Sequence, residues 1–321
     1  MRIALRASWL VRAVVLSAVF VLVGQARFVH AGRHDAFSFF AHLIALDQSD
    51  RERLDRGDVL VRVLPARDGE LAVFAASRVN APPDALISWT RRIEELKESR
   101  FAPVVRRFSD PPALHDLDDL VLDDADVQAI RQCRPGRCDV KLRDLEIESL
   151  RGAGARAGVA WYVAIQREFR RVLLARVVEY DHPAPIAASL SGYPPIDIEP
   201  MESFFYWSKE QYGTGKRVVT VTHVTILRSA SLAGPSVFTL GNEIYASHYR
   251  DASLGLTAVF DDQNRRNRYL VYVNRTHVDV LGGLFGGLKR LIIEGRIKGE
   301  SEQIIRGVRA RLESGPAAEG S

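Results

Sequence analysis

The strongest constraint on this chain lies at its C-terminal end, where a strand-like run leads into a long helix with one apolar face. Residues 268–278 (RYLVYVNRTHV) are rich in Tyr and Val, types that suit a pleated, half-buried surface. After Asp279, apolar residues recur at Leu281, Leu284, Phe285, Leu288, Leu291 and Ile292, and the stripe resumes at Ile304, Ile305, Val308 and Leu312. The spacing predicts a helix over 281–312, about 48 Å long, enough to cross a whole domain. Gly282, Gly283, Gly286 and Gly287 each weaken such a helix by about 1 kcal/mol relative to Ala. They also remove side chains where it would face a sheet, and a helix trimmed in this way leaves a cavity beneath it.

The sheet to be covered is legible upstream. Strands are expected at 217–227, 237–249, 254–260 and 269–278, joined by Gly234-Pro235, Asp251-Ala252 and the polar run 261–264. Four consecutive strands with short polar connections read as an antiparallel meander. Two more, 59–64 (VLVRVL) and 71–79 (LAVFAASRV), flank an Asp68-Gly69 turn. A Pro82-Pro83 corner follows, and Asp84 caps a helix reaching Lys97. Short helices are expected at 37–46 and 47–58, the second capped by Ser49 or Asp50. A long one is expected at 155–180, with Trp161, Ile165, Phe169 and Leu173 on one side. Residues 204–207 (FFYW) fit either a strand or a pocket-lining loop. The expected fold class is α+β, an antiparallel curved sheet gripping a long C-terminal helix, with a helical insertion.

Arg2, Arg6 and Arg12 precede the apolar run 13–24, and Val29-His30-Ala31 supplies a small-residue cleavage pattern. This is the layout of a secretory signal peptide, and the run is shorter than the roughly 20 apolar residues of a membrane span. The expectation is a mature chain beginning near Gly32, in the periplasm or outside the cell. The leader holds four of the 44 Lys and Arg and none of the acids, which leaves 40 bases against 40 acids. That balance removes the electrostatic ground for nucleic-acid binding. The two cysteines, Cys133 and Cys138, flank Arg-Pro-Gly-Arg. The Pro-Gly turn brings them within disulfide reach, and export favours a bridge. Without a nearby His pair they make a poor zinc site, and a redox pair has two residues between its cysteines rather than four.

Other motifs exclude more than they suggest. The acids between Asp116 and Asp126 lack the spacing and glycine of a calcium loop, and helix caps at Asp116 and Asp123 account for most of them. Ser189 and Ser191 have no nucleophile elbow, and the chain has neither phosphate loop nor dinucleotide fingerprint. No metal or cofactor is expected.

Residues 71–96 (LAVFAASRVNAPPDALISW onward) give a strand, a Pro-rich corner and a helix. Residues 269–312 give a strand and the long helix, with 217–260 as the meander between. This order resembles the START-like, or helix-grip, superfamily of lipid-transfer and polyketide-cyclase-like proteins. The likeness is one of pattern and covers about half of the expected mature chain. It implies a curved sheet gripping a helix around an apolar cavity, within 57–313, and by itself implies neither carrier nor enzyme. Around it stand the leader 1–31, an N-terminal helical segment 32–56, a disulfide-containing insertion at about 100–200, and a tail 314–321 expected to be disordered.

Three histidines fall on three strands. His223, His248 and His277 each share parity with apolar residues, which places each on the sheet's apolar side. The sharp reading is a metal site or a general base; the plain one is three unrelated histidines. Phe238, Leu240, Tyr245, His248, Arg250, Tyr269 and Tyr272 on the meander, with Leu284, Phe285 and Leu288 on the helix, are the candidate lining of a ligand cavity. Arg250 and Arg275 suit a carboxylate or phosphate head group, unless both are solvated outside. Three functions fit these readings. One is an exported binder of a hydrophobic small molecule or lipid, with a peripheral membrane contact. Another is a cyclase- or hydratase-type enzyme using a pocket His. The third is a non-catalytic envelope scaffold whose cavity is filled.

Overall fold

The computed structural model describes residues 36–67, 69–180, 190, 192–211, 215–230, 234–262, 267–279 and 286–315, with 286–294 described through the backbone alone. The chain divides into two units, Met1–Asp35 and Ala36–Ser321, and the second is described below. The expected leader, residues 316–321 of the tail, Leu284, Phe285 and the side chain of Leu288 lie outside the described residues.

Eight strands form one antiparallel sheet: β1 (Val59–Leu64), β2 (Glu70–Arg78), β3 (Val104–Arg107), β4 (Ile198–Glu210), β5 (Val218–Ser229), β6 (Val237–Ala246), β7 (Arg250–Asp262) and β8 (Asn267–Val278). Their order is β1-β2-β8-β7-β6-β5-β4-β3. The expected meander therefore gains one strand, since FFYW lies within β4, paired along its length with β5. β4 tolerates Pro200 because the register shifts there, which absorbs the missing donor. β2 closes the sheet against β8, with Glu70 opposite His277 and Arg78 opposite Tyr269.

The helices depart from the sequence pattern at their ends. A 3₁₀ turn at Ala36–Phe40 precedes α1 (Gln48–Asp55). The cap of α1 is Asp47, which accepts from the Asp50 N–H at 2.8 Å, rather than Ser49 or Asp50. The helix after Pro82 is two, α2 (Pro83–Arg91) and α3 (Ile93–Lys97), parted at Arg92 with φ −97° and ψ 50°. The expected helix 155–180 is α6 (Trp161–Val178), begun a few residues later and preceded, across a turn at Gly158–Ala160, by α5 (Asp144–Arg156). Gly158 sits at φ +55°, which ends a helix and costs glycine little. α4 (Asp124–Gln132) leads into the Cys133–Cys138 disulfide, with Cα atoms 4.5 Å apart. Asp116 accepts from the Ala113 N–H at 2.7 Å, as a cap does. Asp123 precedes α4 without capping it and pairs with Lys209 instead. α7 (Gly286–Ser314) closes the fold.

The outer face of the sheet is apolar and is covered by two elements. Phe37, Phe39, Phe40 and Leu54 of the N-terminal segment pack on Leu60, Phe74, Phe238 and Phe260. Phe169 and Leu173 of α6 pack on Phe205, Trp207 and Val221. Among the described residues, apolar side chains pack on one end of the inner face. There Leu86 and Trp89 of α2, with Ile305 and Leu312 of α7, meet Val224, Ile226, Val259 and Leu270. Arginines fix α7 at that end: Arg309 donates to Gly57 O and Ser77 Oγ, each at 2.8 Å, and Arg311 to Leu96 O at 3.0 Å.

Candidate functional site

Away from the end packed by α2 and α7, the inner face changes character. The pleat that points Val224, Val259 and Leu270 inward carries Ser208, Glu210, Thr220, Thr222, Glu243, Ser253, Asn274 and Thr276 to the same side. These polar side chains are paired with one another. Ser253 Oγ and Thr276 Oγ1 lie 2.8 Å apart, and Asn274 Nδ2 donates to Ser253 Oγ at 3.1 Å. Ser208 Oγ donates to Glu210 Oε1 at 2.9 Å and lies 2.8 Å from Thr220 Oγ1.

Within this region two neighbouring strand positions carry no side chain. Gly241 of β6 and Gly255 of β7 are direct cross-strand partners, with Val224 on one side and Asn274 on the other. Neither takes a left-handed conformation. Among the described residues, a Cβ at Gly241 would meet Thr222 at 3.6 Å, and one at Gly255 would meet the Tyr272 ring at 3.6 Å and Asn274 at 3.7 Å. Those are ordinary contact distances, so neither turn geometry nor crowding requires glycine. Glycine inside a strand weakens it and marks sites where another group approaches the backbone closely.

Beside this strip lies a buried network of four charges. Lys97, at the end of α3, reaches Glu210 Oε1 at 2.8 Å and donates to the Tyr206 hydroxyl at 3.0 Å. Arg250 Nη2 donates to Glu210 Oε2 at 3.0 Å; its Nε and Nη2 clasp Glu243 at 3.1 and 2.8 Å. Glu210 is 2% exposed and Glu243 10%. Burial opposes ionisation of Glu210, but Lys97 and Arg250 outweigh it and hold the carboxyl well below the usual range. Glu243 shares Arg250 with that charge. Burial, reinforced by Glu210, pushes Glu243 up to about 7 against the pull of Arg250 and Lys97. Two adjacent carboxyls thus take unlike roles, one a fixed anion and one a group able to exchange a proton near neutrality. Desolvation pushes the nearby Tyr272 phenol up to about 12, so it stays a hydrogen-bond donor.

The residues expected to line one cavity divide between the two faces. Arg250 and Tyr272 are on the inner side, as described. Phe238, Leu240 and Tyr269 are on the outer side, packed under the N-terminal segment. Tyr269 donates to Asp55 at 2.5 Å. Tyr245 is also outer, among the insertion's side chains, because the register of β5 against β6 shifts between Val221 and Thr222. Its buried hydroxyl has no hydrogen-bond partner among the described residues. Arg275 is 42% exposed, 3.9 Å from Glu70.

The three histidines do not converge. His223 lies on the outer face against Phe205 and Tyr180, at ring distances of 4.8 and 5.3 Å. His277 is 47% exposed at the sheet's end, 3.7 Å from Asp251. His248 and Asp126 are buried and Asp139 beside them is exposed, with ligand-type atoms of the three within 4.8 Å of one another. The Nδ1 of His248 lies 3.1 Å from the Asp139 carbonyl and its Nε2 3.0 Å from Asp126 Oδ1. Sequence reasoning passed over Lys97, Glu210, Glu243, Gly241 and Gly255. The signal was present: a glycine and a glutamate interrupt the apolar strand VFTLGNEIYA, and an isolated glycine in a strand pattern points to close approach of another group.

No family model and no curated protein matches this chain. Among solved structures, it is similar to the crystal structure of TTHA0849 from Thermus thermophilus, at 12% identity and a TM-score of 0.27, over 40% of this chain and 81% of that one. An overlap of that quality assigns neither family nor function.

Proposed function

We propose that the protein is an exported, START-like binder of a small amphipathic molecule on the inner face of the sheet. The polar end of the ligand meets Arg250 and Glu243, and its body lies across Gly241 and Gly255. The observation that carries this reading is the glycine pair beside a buried charge network, since a strand gives up two side chains there and, among the described residues, neither crowding nor conformation calls for it. Export is supported by the Cys133–Cys138 disulfide, which fits an oxidising compartment. No helix among the described residues is long and apolar enough to cross a membrane. The polarity of this part of the inner face favours an amphipathic ligand over a purely hydrophobic one.

The test is mass spectrometry of molecules extracted from protein purified from its native host, with titration of a fluorescent fatty acid. The expected result is a bound amphipath and a saturable probe signal that Gly255→Leu abolishes. Protein that carries no ligand and ignores the probe sinks the reading.

One observation favours a second reading, an enzyme of the cyclase or hydratase kind. The Glu243 carboxyl, raised to about 7, suits proton transfer at neutral pH. The outer-face histidines do not serve that role. In this case Glu243→Gln abolishes turnover of the extracted ligand while leaving its binding intact.

A further inference from the structure

The α5–α6 hairpin carries a surface that the inner face does not use. At its turn Val159 is fully exposed, at 101%, and Val163 on the first turn of α6 is 58% exposed. A monomer gains nothing from valines placed there. Beside the turn is a cleft of about 540 Å³ between α4, α5 and α6, lined by Arg131, Arg151, Gly154, Gly158, Trp161 and Ile165. Its walls come close because Gly154 has no side chain: a Cβ there would stand 3.2 Å from Ile165.

The charge around this tip is one-sided. Arg131, Arg134, Arg137, Arg151 and Arg156 are all exposed, and among the described residues none of the five is in an ion pair. Arg131 lies over the Trp161 ring at 4.5 Å, and Arg134 and Arg137 sit on the disulfide-closed turn after α4. Four arginines farther along the same hairpin behave differently. Arg143 pairs with Glu179, Arg170 with Asp118, Arg171 with Glu168 and Arg176 with Glu146. Two exposed acids stand near the tip: Asp124 accepts from the Tyr162 hydroxyl at 2.6 Å, and Glu148, one turn before Arg151, is in no ion pair among the described residues.

We propose that this hairpin tip docks on a membrane surface bearing anionic headgroups. The arginines would meet the headgroups and the Arg131–Trp161 stack would lie at their level, with Val159 and Val163 reaching the acyl boundary. A polyanionic macromolecule would satisfy the arginines but leave the exposed valines in water. An interface that is charged outside and apolar just beneath satisfies both. The inference does not rest on the inner-face reading.

Co-sedimentation of the mature full-length chain with vesicles tests it. The protein is expected to bind phosphatidylglycerol-containing vesicles and not neutral phosphatidylcholine ones, with binding falling as salt rises. Arg151→Ala should weaken partitioning roughly fivefold, and the Arg131→Ala/Arg151→Ala pair roughly 25-fold. Val159→Asp should abolish it. Leu145→Asp, an exposed change at the other end of the hairpin, and Gly255→Leu on the inner face should both bind as wild type. Circular dichroism should show all these variants folded. The proposal falls if anionic vesicles are not bound, if Val159→Asp binds normally, or if Gly255→Leu is the change that removes binding, since the lipid would then be entering the inner face.

Discussion

The two faces of the sheet are built from the same strands and do opposite things. On the outer face, ring packs on ring: Phe37 meets Phe260 edge-on at 5.3 Å, and Phe40 meets Phe74 at 6.0 Å. Each such side chain is removed from water by an element that follows or precedes the sheet in sequence. On the inner face, α7 secures one end, and the rest carries hydroxyls, a clasped Arg250 and two bare glycines. The outer face carries most of the described aromatic packing, and the inner face carries the polar strip and the glycine pair. In this chain the face richest in Phe, Tyr and His is the covered one.

That contrast can be broken most directly by the largest expected effects, one on each face. Phe238→Ala on the outer face should cost about 3–5 kcal/mol of unfolding free energy in urea titrations, while the folded fraction binds probe as wild type. Glu210→Ala on the inner face should cost a similar amount, about 3–5 kcal/mol, because Arg250 and Lys97 lose their buried partner. Unlike the first change, it should also alter probe binding. If both changes move stability alone, the inner network is only structural and the contrast disappears.

A smaller effect depends on pH. The folded value of Glu243, about 7, lies above its unfolded value near 4.5. Between those values the folded state keeps a proton that the unfolded chain releases. Stability should therefore decline as pH rises from about 4.5 to about 7, by at most about 3 kcal/mol, and level off above. Glu210 has the opposite sign: its stabilisation persists through this window and is lost only in strong acid. Melting curves of wild type and Glu243→Gln across this range should diverge with rising pH, the variant lacking the decline. Parallel curves would mean that Glu243 is ionised throughout.

The smallest expected change in stability is the sharpest separation of the faces. Gly255→Ala should shift unfolding by less than about 1 kcal/mol, and toward greater stability, since the methyl meets only ordinary contacts. The same substitution should weaken the fluorescent probe measurably, and Gly241→Ala should do likewise. A stability loss from either would show that the strip was already filled.

Much of the fold was open to inspection in the residues. The last four strands are local statements, written in alternation, and they hold in the structure to within a few residues, with α7 after them, although the expected Asp251-Ala252 connection lies inside β7. The disulfide needed only a Pro-Gly turn between two cysteines. Parity also placed His223 and His277 correctly on the apolar side of their strands. Local pattern failed where a single conformation overrides it: at Arg92, which parts α2 from α3, and at the β5–β6 register shift, which sends Tyr245 outward.

By itself the sequence determined the strands, the closing helix and which side of each strand is apolar, because those properties are sums over neighbouring residues. It could not determine which side would be buried by the rest of the chain. Phe37 to Leu54 and helices α4 to α6 reach the sheet from far away in sequence, and their arrival turned the apolar face into core. Only the tertiary structure brought Lys97, Glu210, Glu243 and Arg250 together from four elements. The environment that separates the two carboxyls, burial plus a shared arginine, belongs to none of those elements alone.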